Sequence, residues 1–270
     1  MLHGLLSELR LTPATLFPLS LVFLAPLLLI IVIRLARRKD CVAFFHPYCN
    51  DGGGGERVLW CAVQATLKAR PSASVVIYTG DAVSKSDILT KAEARFGLKV
   101  EGARVRLVRL RCRAVVEPRF YPVFTLLGQS LGTVVLALEA LLKVVPEVFI
   151  DTMGCAFTYP VARLVFGCRV ACYTHYPTIS TDMLSLVERR EESYNNRGAI
   201  SRSALLSRAK LAYYRLFAGA YGVAGRCADS VMCNSAWTAA HIRDIWGVEA
   251  AVVFPPCNTE ALQGIGLGGR

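Results

Sequence analysis

Apolar positions in this chain fall into runs of two lengths. From Leu11 to Ile33 no residue carries a charge, and Leu19 to Ile33 is almost continuously aliphatic. A bilayer-spanning helix needs roughly 20 apolar residues, so this run is long enough, although Pro13, Pro18 and Pro26 interrupt it. Arg34, Arg37, Arg38 and Lys39 follow the run, whereas Glu8 and Arg10 precede it. A cleaved leader has the opposite polarity, with its positive charge in front. The positive-inside rule then leaves residues 1–10 on the far side and everything after the basic segment 34–40 in the cytosol.

Beyond the anchor, short apolar runs alternate with helix-period segments. Strands are expected at Cys41–His46, Ser74–Thr79, Val105–Leu110, Val148–Asp151, Arg169–Tyr173, Ser230–Cys233 and Ala251–Phe254. Helices are expected at Glu56–Arg70, Ser84–Phe96, Ala204–Tyr221 and Ala236–Trp246. Ser84 is placed to cap its helix and Gly97 to stop it. Strands separated by helices mean β-α-β units, and strands without alternation fit a sheet covered on both faces. The predicted fold is α/β, a doubly wound parallel sheet over 41–262, with ligand at the carboxyl ends of its strands. Phe120–Leu142 is helix-like and apolar. Its Gly, Gln and Ser content favours a buried or interfacial helix over a second span.

Composition narrows the class. The chain has 270 residues, 54% of them hydrophobic, and a mean hydropathy of +0.42, high for a soluble protein. The ten cysteines are irregularly spaced, without a C-x-x-C, and read as small hydrophobes rather than a disulfide framework. Cys168, Cys172 and His175 lack a fourth ligand, so no structural zinc site is expected. The net charge of +11 is scattered. No nucleic-acid-reading motif accompanies it, so an anionic leaflet and pyrophosphate substrates are the expected partners, not nucleic acid.

Chemistry concentrates where strands end. The run His46-Pro47-Tyr48-Cys49-Asn50-Asp51-Gly52-Gly53-Gly54-Gly55-Glu56-Arg57 joins the first strand to the first helix. Glycines let backbone approach a ligand closely, and a helix N-terminus suits phosphate. The run is neither G-x-G-x-x-G nor a P-loop, and a tight turn is the plain alternative. Tyr173-Thr174-His175-Tyr176-Pro177-Thr178 follows a later strand. Asp151-Thr152-Met153-Gly154 follows another, with Asp151 a substrate contact or a cap. In Cys233-Asn234-Ser235-Ala236-Trp237-Thr238, Asn234 or Ser235 is placed to cap the next helix. Glu188–Arg197 reads as a solvated charged run.

With the matching anchor, the segments His46–Trp60, Thr174–Leu184 and Cys233–Thr238 make the chain resemble the eukaryotic dolichol-pathway α-1,2-mannosyltransferases of asparagine-linked glycosylation, over about residues 41–262. The resemblance implies the N-terminal Rossmann-like domain of a GT-B enzyme. It implies transfer of α-1,2-linked mannose from GDP-mannose to Man3GlcNAc2-PP-dolichol, with retention, on the cytosolic face of the endoplasmic reticulum. By motif, Gly52, Gly53, Gly54 and Gly55 would approach acceptor or donor phosphates. Asp151 and Asn234 would contact substrate, and His175 would contact the transferred sugar as the catalytic position. No cofactor and no metal are implied, there being no Asp-x-Asp triplet; other glycosyltransferases of the pathway are possible partners. The family continues into a second Rossmann-like domain, which the tail Gln263–Arg270 does not resemble. Residues 1–270 alone are therefore expected to be inactive, and the alternative reading is a non-catalytic variant that binds acceptor lipid or partner enzymes.

Overall fold

The structure, a computed structural model, describes residues 13–189 and 204–257, with side chains from residue 24 onward. The tail 263–270, residues 1–10 and most of the charged run 188–197 therefore lie outside the described residues. Helix α1 (Pro13–Leu35) leads into a seven-stranded, all-parallel sheet. The strands are β1 (Arg38–Phe45), β2 (Ser74–Thr79), β3 (Val105–Arg109), β4 (Pro146–Asp151), β5 (Arg169–Thr174), β6 (Ser230–Cys233) and β7 (Ala251–Val252). Between them run α2 (Gly54–Ala69), α3 (Lys85–Phe96), α4 (Thr125–Lys143), α5 (Thr181–Glu188), α6 (Ala204–Gly225) and α7 (Ala236–Trp246). The spatial order is β3-β2-β1-β4-β5-β6-β7.

Strand β1 shows why the central strands do not alternate in sequence. Cys41, Ala43 and Phe45 point into one core and Val42 and Phe44 into the other, all at 2% exposure or less. Successive strand side chains face opposite ways, so a strand covered on both faces must be apolar throughout. On one face α2 and α3 supply Leu59, Trp60, Val63, Ile88 and Phe96. On the other, α4, α6, α7 and residues 156–166 supply Leu136, Ala140, Tyr159, Phe217, Tyr221 and Trp246. Strand β3 is an edge, and its Arg106 and Arg109 project to solvent as charges that block further pairing.

The N-terminal run is helical as expected, and one later segment departs from expectation. The anchor run is helical and continues through Pro26 to Leu35. Its end docks on the domain: the guanidinium of Arg34 donates to the carbonyls of Leu164 and Val165, and Arg37 donates to Gly167 O at 2.5 Å. The apolar segment from Phe120 is helical only from Thr125. Phe124 before it takes a left-handed conformation (φ 53°), which ends the preceding irregular run and starts the helix. Helix α4 is long and apolar enough to cross a membrane. One face nevertheless buries Leu136, Ala137, Ala140 and Leu141 completely against the sheet, making it part of the core.

Candidate functional site

The strand order reverses direction between β1 and β4, since the chain winds outward from β1 to β3 and then returns to its other side. In such sheets a crevice opens at that point, beyond the carboxyl ends of the strands. The residues immediately following these strands are His46 after β1 and Thr152 after β4, and β5 next door ends beside His175. The switch point thus collects the motifs the sequence singled out.

His46 is fully buried and bonded at both ring nitrogens: Nδ1 to Thr152 Oγ1 at 2.7 Å and Nε2 to Glu56 Oε1 at 3.2 Å. A carboxylate at Nε2 favours the tautomer with its proton there, leaving Nδ1 to accept from the Thr152 hydroxyl. Glu56 also accepts from the Gly53 amide at 2.5 Å. Burial works to raise the Glu56 pKa, but the bonds from His46 and from the amides of Glu56 and Gly53 outweigh it, and the net shift is downward. Glu56 is thus an ionised group that ties the first strand end to the start of α2. His46, Glu56 and Thr152 lie within motifs the sequence singled out but were not named as site residues. The signal was present as a glutamate three residues after the N-cap, half of a capping box.

The four glycines have different roles. Gly52 has φ +87°, a conformation side chains rarely adopt, and its carbonyl is held by Arg95 Nε at 2.6 Å. The Asn50 carbonyl takes Lys91 Nζ at 2.5 Å, and Asp81, paired with Arg113 at 2.6 Å, holds the Asn50 amide at 3.0 Å. The loop is therefore fixed from both sides. Gly53 is the N-cap of α2; a β-carbon there would stand 2.9 Å from Glu56 Oε2. Gly54 looks onto open space, and a β-carbon on Gly55 would lie 3.7 Å from His175 Nε2 and 3.9 Å from His46 Cε1. Because Gly53 has no side chain to cap the helix and Glu56 takes only the amides of Gly53 and Glu56, those of Gly54 and Gly55 are left for a ligand.

His175 faces this start. Its Nε2 is buried and has no hydrogen-bond partner among the described residues. Burial, then the neighbouring His46, lowers its pKa, partly countered by Glu56, so at neutral pH it is an uncharged imidazole. The Tyr173 ring meets it edge-on, with centroids 4.9 Å apart. Thr174 Oγ1 beside it is also buried without a partner. Unsatisfied buried polar atoms are costly, and two at one strand end mark a place where a ligand can complete the bonding.

Asp151 and Asn234 sit differently. Asp151 is fully buried and accepts from the Met153 and Cys155 amides at 2.9 and 2.6 Å and from the Tyr159 hydroxyl at 2.7 Å. Burial pushes its pKa up while these donors favour the charge. Its carboxylate is committed to the turn that presents Thr152, and no oxygen remains for the crevice. Asn234 Oδ1 accepts from Ser235 and from Thr238 at 3.2 and 2.8 Å, and Ser235 caps α7. That assembly also reaches the His175 carbonyl through Thr238 at 3.4 Å, so Asn234 braces the histidine's backbone. Cys168 and Cys172 turn into the core, and no group of metal-binding side chains forms among the described residues.

Next to the crevice lies a cavity of about 290 Å³, lined among others by Tyr48, Leu126, Gln129, Ser130, Thr133 and Gly154. It runs from Pro47 and Tyr48, ahead of the four glycines, to the first half of α4 and mixes apolar walls with amide and hydroxyl groups.

Comparison with known proteins shows the family. Residues 39–246 match the family described as ALG11 mannosyltransferase N-terminus. The chain is 53% identical over 234 residues to the Xenopus tropicalis protein named GDP-Man:Man(3)GlcNAc(2)-PP-Dol alpha-1,2-mannosyltransferase, covering 86% of this chain and 48% of that one. Proteins of the same name match in Mus musculus, at 54% identity over 86% of this chain and 47% of the relative, and in Caenorhabditis elegans, at 45% over 90% and 53%. The chain spans about half the length of the curated relatives it matches. A solved transferase from Siraitia grosvenorii aligns at 12% identity and TM-score 0.37 over 83% of this chain and 51% of its own, too distant a likeness to argue from. The doubly wound sheet, the helix start left open by its glycines and the family match agree, and this chain belongs to the family of ALG11 mannosyltransferase N-terminal domains.

Proposed function

We propose that these residues form the acceptor-side half of an enzyme that transfers α-1,2-linked mannose from GDP-mannose to Man3GlcNAc2-PP-dolichol, with retention of configuration. The observation that carries this is the unpartnered Nε2 of His175 aimed at the glycine start of α2. A neutral imidazole beside free helix amides suits a sugar hydroxyl next to a phosphate. His175 positions the transferred mannose and polarises one hydroxyl; it is not the base. The departing diphosphate supplies the basic oxygen, and the amides of Gly54 and Gly55 stabilise negative charge as it develops. The His46–Glu56–Thr152 network fixes the start of α2 so that these donors need no reorganisation. Neither a cofactor nor a metal has a part in this reading. Helix α1 is the single-pass anchor in the endoplasmic reticulum membrane, with the sheet on the cytosolic side.

The test is a chimera carrying these residues in place of the equivalent half of the Xenopus tropicalis relative. Given labelled GDP-mannose and Man3GlcNAc2-PP-lipid in detergent, it should lengthen the glycolipid. A folded chimera that leaves the lipid unextended, while the intact relative extends it, would overturn the reading. Residues 1–270 alone are expected to bind the acceptor lipid without turnover.

A further inference from the structure

The two helix layers have opposite surfaces. Among the described residues, no exposed large apolar side chain comes from α2 or α3. On the opposite layer, Leu127, Leu131, Val135, Leu138 and Leu142 of α4 are all exposed, Leu131 by 55% and Leu142 by 69%. Their spacing of four, four, three and four residues places them on one stripe along the outside of the helix. The inner stripe of the same helix is core, so α4 is apolar on both sides: one side packs on the sheet and the other is exposed among the described residues. A soluble surface helix would be polar there.

Charge frames the stripe. Arg119, stacked on Phe120, stands before its start. Lys143, paired with Glu139 at 2.5 Å, closes its far end and shares a groove with Arg106, Arg109 and Arg111 at the sheet edge. Cations at both ends of an apolar stripe are the pattern of a helix lying in a headgroup layer, where basic side chains reach anionic lipid and apolar ones the acyl boundary. The anchor is on the same side. Helix α1, with Leu24, Leu27, Leu28 and Leu29 exposed, docks through Arg34 and Arg37 onto residues 164–167 of the same layer, where Leu164 is also exposed.

We infer that the outer face of α4 lies in the plane of the cytosolic leaflet, and that this contact, together with α1, fixes the orientation of the domain on the membrane. The inference rests on the reading of α1 as an anchor and adds a second contact that the anchor alone does not require. It puts the cavity lined by Leu126, Gln129, Ser130 and Thr133 directly behind the lipid-facing stripe, where a lipid-linked pyrophosphate can reach the glycine loop without leaving the leaflet.

The test uses the full chain reconstituted in vesicles of phosphatidylcholine and phosphatidylserine with spin-labelled acyl chains. An environment-sensitive fluorescent amino acid replaces Leu28, Leu131, Leu138 or Lys68 in four separate proteins. Quenching at positions 28, 131 and 138, several-fold above that at 68, is expected. Quenching at 28 but not at 131 and 138 would overturn the in-plane contact while leaving the anchor intact. No quenching at 28 would remove the anchor reading and this inference with it. Equal quenching at 68, or energy transfer between labelled copies at 131 with no lipid quenching, would also overturn it, the latter in favour of a second copy covering the stripe.

Discussion

Replacing Glu56 with alanine removes the group that joins the switch point to α2, and its cost can be worked from the contacts. One carboxylate oxygen holds the Gly53 amide at the helix start, an interaction of about 1 kcal/mol. The other faces His46 Nε2 at 3.2 Å. Its loss leaves a fully buried imidazole N–H without a partner, at about 1–3 kcal/mol. Together Glu56→Ala should cost about 2–4 kcal/mol. For a domain of this size that is a fall in Tm of roughly 5–15 °C, measured by circular dichroism in detergent at a fixed scan rate. The pH dependence is the sharper check. The folded pKa of Glu56 is depressed, so its contribution is complete above the unfolded value of about 4.3 and is lost as pH falls through the folded value. The gap between wild type and variant should therefore be full at neutral pH, narrow below about pH 4 and close with further acidification. A variant within about 2 °C of wild type at pH 7, or a gap that does not narrow in acid, would refute the assigned role.

Gly55→Val in the chimera should cut transfer by at least about 100-fold with little change in Tm, because its branches fill the space over His175 while valine is tolerated in a helix. Gly53→Val, by contrast, should lower Tm as well, since its β-carbon meets Glu56 Oε2 at 2.9 Å; equal effects of the two substitutions would show that the glycines are interchangeable. His175→Ala should reduce kcat roughly 10²–10³-fold. Because burial and His46 lower the His175 pKa, the pH profile of the unsubstituted chimera should be flat in His175 above about pH 6.5, with any loss on the acid side; an alkaline loss abolished by the substitution would contradict this. Protease added to sealed microsomes should digest the region after residue 40, and full protection would reverse the topology.

The sequence by itself determined the long apolar N-terminal helix, the parallel α/β class and nearly every element. Ser74–Thr79, Ser230–Cys233 and Ala236–Trp246 are found where the pattern placed them. Local rules suffice for such features: a long uncharged apolar run, apolar strands between helix periods, Ser84 and Gly97 bounding α3. The sequence also marked the glycine loop and His175 as chemistry at strand ends. Only the tertiary structure could separate the members of each motif. Gly52, Gly53, Gly54 and Gly55 look equivalent as letters. They become a positive-φ turn, a cap, an open surface and a neighbour of two histidines through contacts with Arg95, Glu56 and His175. Asp151 and Asn234 read as site residues; the Asp151 carboxylate and Asn234 Oδ1 are held by partners up to eight residues away once the turns close. His46 and Thr152 are 106 residues apart, and only the β1–β4 pairing brings them within 2.7 Å. The two faces of α4 likewise cannot be told apart by composition, because both are apolar. The sheet decides which one is core, and the other is left to find a partner of its own.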